Sequence, residues 1–331
     1  MLIRAWNVFH GNTSPPGRRA YLREMIELVT ADRPGVVCLQ EVPAWAFGQI
    51  GDWAGMRAVA ARTRAPRLGL LPIPAGFGRR MTSLNAGLFR SHFNGQGNVI
   101  LLPTDAKLRE SKQITLNTNP FCEDQATKLG LSPKLARWWE KERRICHLAK
   151  VELPNRRRLL IANLHATHYY DDLRLADAEL RRAASFVDRA SEIEEIVVLA
   201  GDFNTTLEHS ETLRSLTTRE DDPYSGTGPL IDHVLVRGGK ASEMRVWGDD
   251  ERMYDGKLLS DHAPVELQLL AVVRRRTAQA PALVEPARPE PEPEPAPAPS
   301  RREDDDRWET EERWETKEED RFETGERWEG E

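Results

Sequence analysis

Cysteine is scarce in this chain. Only Cys38, Cys122 and Cys146 occur among 331 residues, and none of them has the short spacing of a metal-binding pair. An odd number of widely separated cysteines argues against a disulfide framework and against a zinc finger. The composition is typical of a reducing compartment, and we therefore expect a cytoplasmic protein.

Long hydrophobic runs are missing as well. No stretch of about 18 apolar residues occurs anywhere in the sequence. The chain begins Met1-Leu-Ile-Arg-Ala-Trp-Asn, which lacks the basic segment and apolar stretch of a secretory signal. We therefore expect a soluble protein without a membrane anchor.

Acidic residues are absent from Trp53 to Thr104, whereas seven arginines fall within the same 52 positions. Such a local excess of positive charge favours an anionic partner, and nucleic acid is the partner we expect. The alternative is that these arginines lie on solvated faces and pair with acidic residues from other parts of the fold.

The chain changes in charge and composition near residue 276. Residues 1–276 carry 39 basic and 34 acidic side chains, whereas residues 277–331 carry 8 basic and 19 acidic side chains. Pro, Ala and Glu dominate residues 281–300, and this composition cannot bury enough apolar surface to offset chain entropy. We expect a folded domain over residues 1–272 and a Pro/Glu-rich linker with a disordered charged tail over residues 273–331.

Degenerate repeats occupy the end of this tail. They read Arg307-Trp-Glu-Thr, Arg313-Trp-Glu-Thr, Arg321-Phe-Glu-Thr and Arg327-Trp-Glu-Gly. Their offsets fit neither a 3.5-residue nor a 3.6-residue helical period. Aromatic groups in a charged tail are either docking points for a protein partner or parts of a tail that only increases solubility.

Short β-branched runs alternate with helical patterns in residues 1–272, which predicts a layered α/β fold rather than a helix bundle. The predicted strands are Leu2–Val8, Val36–Val42, Asn98–Leu102, Ile145–Leu153, Leu159–Ala166, Ile196–Phe203, Leu230–Val236, Glu243–Trp247 and Pro264–Val272. Helices are predicted around residues 22–29 and 173–187 from their apolar spacing, and from a Ser132 cap to about Arg143.

Polar residues of similar chemistry stand at the ends of several predicted strands. The fragments are Trp6-Asn7, Gln40-Glu41, Asn163-Leu-His165, Gly201-Asp-Phe-Asn204, Ile231-Asp-His233 and Ser260-Asp-His262. Strand ends are rigid positions at which open sheets place functional side chains. Each fragment alone is a weak signal, since a lone Asn7 is usually a turn residue and a lone His165 is usually a packed imidazole. Six compatible fragments in order indicate one shared site.

The residue types suit the hydrolysis of a phosphate ester. This reaction needs a cation near the non-bridging oxygens, a base for the attacking water and hydrogen-bond donors for the developing charge. Carboxylates such as Glu41 suit a hard ion, Mg²⁺ or alternatively Mn²⁺. Asp202 and Asn204 are one residue apart and point the same way on an extended segment. Asp261 is badly placed to orient its neighbour His262, so Asp232 is the expected partner of His262.

Together these fragments resemble the endonuclease/exonuclease/phosphatase superfamily, which includes deoxyribonuclease I. The resemblance covers about residues 1–272 and implies a four-layer α/β sandwich in which two mixed sheets face each other. It implies the following roles: Glu41, Asn7 and Asp261 at the metal, Asp202 as the residue that aligns or deprotonates water, Asn204 and His165 at the phosphate, Asp232 with His262 as the imidazole–carboxylate pair, and Arg144 as the phosphate-binding arginine, a role for which Arg143 competes.

The resulting prediction is a divalent-metal-dependent phosphodiesterase or nuclease that activates water directly. A phospholipid or inositol-phosphate hydrolase and a non-catalytic phosphate-binding scaffold with a docking tail are the alternatives. A zinc site formed by His165 and His168 lacks a third nearby ligand, so we expect a surface position for His168. We expect Cys146 to be a packed residue rather than a nucleophile.

Overall fold

The computed structural model describes residues 1–63, 67–68, 71–72, 80, 84–89, 95–193, 195–228 and 230–272. Its strands are β1 (Leu2–Asn7), β2 (Thr13–Ser14), β3 (Val36–Pro43), β4 (Arg57–Arg62), β5 (Arg67–Leu68), β6 (Leu71–Pro72), β7 (Gln96–Leu102), β8 (Lys107–Thr115), β9 (Ile145–Glu152), β10 (Arg158–His165), β11 (Ile196–Asp202), β12 (Asp232–Arg237), β13 (Gly239–Ala241), β14 (Arg245–Val246), β15 (Met253–Tyr254), β16 (Lys257–Leu259) and β17 (Val265–Val272). The predicted tail lies outside the described residues.

Helices connect these strands. They are α1 (Leu22–Thr30), α2 (Ile50–Ala54), α3 (Ala86–Phe89), α4 (Asn119–Leu129), α5 (Pro133–Trp139), α6 (Arg174–Ala190) and α7 (Glu211–Thr218), with short 3₁₀ turns at Phe9–Gly11, Ala44–Ala46 and Asp249–Arg252. No helix in the described part of the chain is long and apolar enough to cross a membrane.

Two mixed sheets dominate the structure. The first has the order β13-β17-β1-β3-β7-β4, with β14 also paired to β17, and β1 runs parallel to β3. The second has the order β12-β11-β10-β9-β8, and β10 runs parallel to β11. One buried cluster joins apolar side chains of both sheets, among them Ile3 and Val36 from the first and Ile161 and Val198 from the second. The sheets therefore pack face to face.

Helices cover the outer face of each sheet. Leu22, Met25, Ile26 and Val29 form the buried side of α1 against the first sheet, as their spacing predicts. α6 and α7 bury apolar residues against the second sheet in a separate cluster. The predicted four-layer α/β sandwich is thus confirmed.

Several elements differ from the sequence prediction, among them β4 (Arg57–Arg62) and α4 (Asn119–Leu129), which were not predicted. Ser132 caps α5 as predicted and accepts a hydrogen bond from the Leu135 amide at 3.2 Å, but the helix ends at Trp139 rather than near Arg143. Asn117 donates to the carbonyls of Trp139 and Glu142 and so directs the chain into β9. β8 was not predicted because it is an edge strand whose exposed, charged positions give no apolar pattern.

Candidate active site

Eight of the nine predicted site residues line one cleft at a shared edge of both sheets, and the ninth, Asn7, is buried beside it and bonded to Glu41 and Asp202. β1, β3, β10 and β11 end at this edge, whereas the antiparallel β12 and β17 begin there. The cleft has a volume of about 720 Å³ and is lined by Phe9, His10, Glu41, Glu142, Arg144, His165, His168, Tyr170, Asp202, Asn204, Leu230, Ile231, Asp232, Asp261, His262 and Ala263. Residues more than 250 positions apart in sequence therefore face the same space.

A β-bulge directs Glu41 into this cleft. The pairing between β3 and β7 shifts between Leu39 and Val42, so that Gln40 and Glu41 lie opposite the single residue Asn98. Glu41 has a φ of 55°, in the left-handed region. Such a bulge bends a strand and changes the direction of one side chain, and bulges are frequent beside active sites.

Glu41 is held between three polar side chains. Asn7 donates to Glu41 Oε1 at 3.2 Å, and His10 Nε2 lies 2.9 Å from Glu41 Oε2. His165 Nε2 is 3.8 Å from Glu41 Oε1. Burial opposes ionisation of the carboxyl group, but His10, through its charge and hydrogen bond, and the charge of Arg144 outweigh it and hold the pKa of Glu41 well below its ordinary value. Glu41 is therefore a carboxylate at neutral pH.

Buried amide side chains connect the two sheets beneath the cleft. Asn163 on β10 donates to the carbonyls of Leu39 and Val99 at 2.9 and 3.0 Å, and it accepts a hydrogen bond from Gln40 at 2.7 Å. Asn98 donates back to the Asn163 carbonyl at 3.0 Å. Gln40 and Asn163, which belong to the sequence fragments described above, thus support the bulge rather than line the cleft.

Asp202 lies at the end of β11 and is almost completely buried. Its Oδ2 accepts a hydrogen bond from Asn7 at 3.0 Å and lies 3.8 Å from His262 Nε2. Burial and the nearby Asp232 carboxylate raise the pKa of Asp202 to about 7. A carboxyl group with a pKa near neutrality is well matched to accepting a proton from water at neutral pH.

Asn204 lines the cleft, but the prediction that its side chain points the same way as that of Asp202 is wrong. Its φ is 49°, so the segment is not extended and the side chain does not follow that of Asp202. The backbone N–H of Asn204 donates to Asp202 Oδ1 at 3.0 Å, and the side-chain NH₂ of Asn204 donates to the Ala166 carbonyl at 2.9 Å. Phe203 is fully buried, as predicted.

His168 is exposed, as predicted, but it also belongs to the cleft. Its Nδ1 lies 2.6 Å from Asn204 Oδ1, and its ring packs edge-on against Tyr170 with the centroids 4.1 Å apart. The side chain of Tyr170 is 81% exposed. An aromatic platform therefore stands at the cleft entrance beside Asn204.

Asp232 and His262 form a pair, with Asp232 Oδ2 2.8 Å from His262 Nδ1. Burial disfavours the charged imidazole, but Asp232, Asp202 and Asp261 outweigh this effect and raise the pKa of His262 to about 10. The loop that carries His262 is fixed by Arg252, which donates to the carbonyls of Ser260 and His262 at 2.9 and 3.1 Å. His262 is therefore an imidazolium, and its Nε2 faces Asp202.

Arg144 and His165 also line the cleft. Arg144 Nη1 lies 2.6 Å from His165 Nε2, and both side chains are buried. Burial and the Arg144 charge lower the pKa of His165 well below its ordinary value, so its imidazole is neutral. Arg143 instead contacts the Asn117 carbonyl and the Asn119 side chain, and it does not line the cleft.

Asp261 is exposed and lines the edge of the cleft. The described residues contain one grouping of three metal-binding side chains, Asp202, Asp232 and His262, whose ligand atoms lie within 4.8 Å of one another. Asp261 is outside that grouping. Its proximity to His262 contributes to the raised pKa of the imidazole.

The donor atoms fit a hard divalent ion. Glu41, Asp202 and Asp232 supply carboxylate oxygens, which Mg²⁺ and Mn²⁺ prefer. Asn7, predicted to lie at the metal, instead turns its amide oxygen to the Phe9 N–H and its NH₂ group to Glu41 and Asp202. Asp232 Oδ1 is buried and has no hydrogen-bond partner, so one oxygen remains available to a cation or a water. The sequence analysis did not identify His10 or Tyr170. His10 follows Asn7 by three residues, but only the tertiary structure brings it to Glu41.

The chain is similar to known proteins in sequence family and in fold. The sequence matches the family described as "Endonuclease/Exonuclease/phosphatase family" over residues 5–262. A comparison with curated proteins finds no match.

Solved structures share the fold at low sequence identity. The mannosyl-6-phosphatase of Bacteroides thetaiotaomicron superposes with a TM-score of 0.55 at 13% identity, over 82% of this chain and 99% of that chain. The human Nocturnin catalytic domain with a bound sulfate anion gives 0.51 at 15% identity, over 81% and 93%. Truncated TDP2 of Caenorhabditis elegans gives 0.51 at 12% identity, over 80% and 96%.

Proposed function

Because the chain belongs to the endonuclease/exonuclease/phosphatase family, whose members are phosphoesterase hydrolases that generally use divalent metal ions, we propose that it is a metal-dependent phosphodiesterase acting on nucleic acid. The observation that carries this proposal is the convergence of Glu41, Asp202 and the Asp232–His262 pair on one cleft. Carboxylates for a cation, a base and an imidazolium donor are the groups that phosphodiester hydrolysis requires.

Glu41 would hold the ion, with Asp261 at the edge of the cleft, and Asn7 would fix the Glu41 carboxylate through its NH₂ group. A bound divalent ion supplies Lewis-acid polarisation of the phosphoryl oxygens. Asp202, whose pKa is raised to about 7, orients the attacking water and accepts its proton. Asn204 fixes the Asp202 carboxylate through its backbone amide and contributes to phosphate positioning.

His262 donates to a phosphoryl oxygen while Asp232 holds its ring by Nδ1. Arg144 supplies positive charge to the phosphate, and the adjacent His165 contributes a neutral imidazole. In this scheme water is the nucleophile and no covalent enzyme intermediate forms.

Two observations support nucleic acid as the substrate. Exposed arginines such as Arg57 and Arg62 on β4 belong to the acid-free stretch of the sequence and would attract a polyanion. Tyr170 offers an exposed aromatic face beside the cleft, and stacking on such a face stabilises a nucleobase by about 1–3 kcal/mol.

Plasmid nicking tests the proposal. Wild-type protein is expected to nick supercoiled DNA with Mg²⁺ or Mn²⁺ and to lose this activity with EDTA. Asp202→Ala should abolish nicking, whereas Asp105→Ala, an exposed carboxylate in the turn after β7, should retain it. Absence of nicking by the wild type, with hydrolysis of sphingomyelin, inositol phosphates or sugar phosphates instead, would reject nucleic acid as substrate. Unchanged activity in Asp202→Ala would reject the mechanism.

A further inference from the structure

The segment that follows Asn7 has an unusual backbone. Phe9, His10 and Gly11 have consecutive positive φ values of 45°, 56° and 84°. A positive φ is an outlier for a bulky residue such as Phe9, and it persists only where surrounding contacts enforce it. Strain of this kind is concentrated at functional sites.

Hydrogen bonds and packing enforce this conformation. The Asn7 side chain accepts a bond from the Phe9 amide at 3.0 Å, and the Gly11 carbonyl accepts one from the Tyr21 amide at 2.7 Å. A Cβ atom at Gly11 would lie 2.8 Å from Leu22 Cβ, so no larger residue fits at this position without rearrangement. The turn is therefore rigid and fixes the position of His10.

The turn places the His10 ring against Glu41. His10 Nε2 lies 2.9 Å from Glu41 Oε2, and the side chain of His10 is only 11% exposed although it lines the cleft. The mechanism described above assigns no step to this imidazole. A nearly buried imidazole fixed beside the principal metal-binding carboxylate calls for a separate explanation.

We propose that His10 is a nitrogen ligand that adapts the Glu41 site to borderline transition ions such as Co²⁺ and Zn²⁺ in preference to Mg²⁺. His10 Nε2 and Glu41 Oε2 lie 2.9 Å apart, close enough for both atoms to bind one ion. Imidazole nitrogen favours later first-row ions, whereas Mg²⁺ selects oxygen ligands. This inference rests on the proposed metal dependence but not on the identity of the substrate.

Metal binding by the full-length protein tests the proposal without any hydrolysis assay. Co²⁺ affinity is measured by calorimetry and by the visible absorption of the bound ion, and Mg²⁺ affinity is measured by competition. His10→Asn keeps a residue that tolerates a left-handed backbone but removes the imidazole. We expect this change to weaken Co²⁺ binding about tenfold or more and Mg²⁺ binding less than about threefold.

The matched control is His209→Asn, an exposed histidine whose Nδ1 contacts Thr206, and it should alter neither affinity. Glu41→Gln should weaken both ions, which locates them at this site. His10→Asp, which supplies oxygen in place of nitrogen, should shift the preference toward Mg²⁺ and covers the case in which His10→Asn misfolds.

Equal effects of His10→Asn on both ions, or no effect on either, would overturn the inference and leave His10 as a hydrogen-bond partner of Glu41. A His10-dependent preference for Co²⁺ in a protein that nicks no DNA would support the inference while rejecting the proposed substrate. DNA nicking by a protein that shows no His10-dependent preference for Co²⁺ would support the proposed substrate and overturn the inference about His10.

Discussion

At the scale of single residues, the site depends on how neighbours set the charge of each group. The same fragments place His262 beside carboxylates and His165 beside an arginine, and the two imidazoles therefore differ in charge at neutral pH. Burial disfavours the charged form of both rings, so the sign of the nearest charge decides the outcome. Residue types in the sequence suggest the chemistry but not these protonation states.

The two adjacent arginines should have different effects on catalysis. Arg144→Gln removes a buried positive charge from the cleft wall, and we expect kcat/KM to fall by about 10²-fold. Arg143→Gln is the matched control and should change kcat/KM by less than about threefold, because Arg143 does not line the cleft. Steady-state kinetics of both variants would measure this difference, with circular dichroism to verify folding. Equal losses of kcat/KM in the two variants would show that Arg144 is not the phosphate-binding arginine.

Titration of His262 should depend on Asp232. In the wild type the C2 proton of this imidazole should titrate near pH 10 by NMR. Asp232→Asn removes the nearest negative charge. The midpoint should then fall toward or below 6.5, because burial lowers the pKa of His262 and Asp232 no longer offsets that effect. A midpoint that does not move in Asp232→Asn would contradict the pairing.

The same pair sets a pH dependence of stability. The pKa of His262 is raised on folding, so its contribution to stability is complete below the unfolded value of about 6.5 and is lost as the pH rises through about 10. The stability difference between wild type and Asp232→Asn, from urea unfolding, should therefore shrink between these pH values.

At the scale of elements, the bulge in β3 is the feature that creates the site. Gln40-Glu41 reads as the polar end of a strand in the sequence, and that prediction is correct in position. The sequence does not indicate that an extra residue enters the pairing with β7, because this depends on the carbonyls of Leu39 and Val99 being bonded by a side chain of the other sheet.

Asn163 should therefore matter for stability more than its position outside the cleft suggests. Asn163→Ala leaves the Gln40 side chain and two buried carbonyls without this partner, and we expect the free energy of unfolding to fall by about 2 kcal/mol. Asn155→Ala, at an exposed turn, should change it by less than about 0.5 kcal/mol. Urea unfolding measures both; an Asn163→Ala protein as stable as the control would show that the bulge needs no support from β10.

Elements with strong apolar periodicity were predictable, and edge elements were not. α1 follows its apolar spacing because its buried face packs on the first sheet. β8 escaped prediction because an edge strand with charged, exposed positions has no buried face to leave a pattern. α5 ends earlier than predicted because Asn117, a residue distant in sequence, redirects the chain.

At the scale of the whole molecule, charge is distributed unevenly along the chain. Residues 279–331 contain 8 basic and 19 acidic side chains, and the preceding part has a net positive charge. We propose that residues 273–331 form a tail that is dispensable for catalysis. Like charges repel at low ionic strength, so this acidic segment should weaken the association with DNA.

A chain ending at Ala278 tests this idea. We expect an unchanged thermal midpoint and kcat, and a KM for duplex DNA that is several times lower than for the full chain at about 50 mM salt. The difference should diminish at about 200 mM salt because the charges are then screened. A small diester such as bis(p-nitrophenyl) phosphate, used as an internal control, should show no change in KM. A salt-independent effect would contradict the electrostatic explanation.

The sequence by itself determined the layered α/β class, the ends of the strands that carry polar groups, and eight of the sixteen residues that line the cleft, because alternating burial and strand-end polarity are local properties of the chain. Only the tertiary structure decided that Glu41 turns inward at a bulge, that His10 and Tyr170 join the cleft, and that Arg144 rather than Arg143 faces it. These outcomes depend on contacts between residues far apart in sequence, and on the burial and charge that such contacts create.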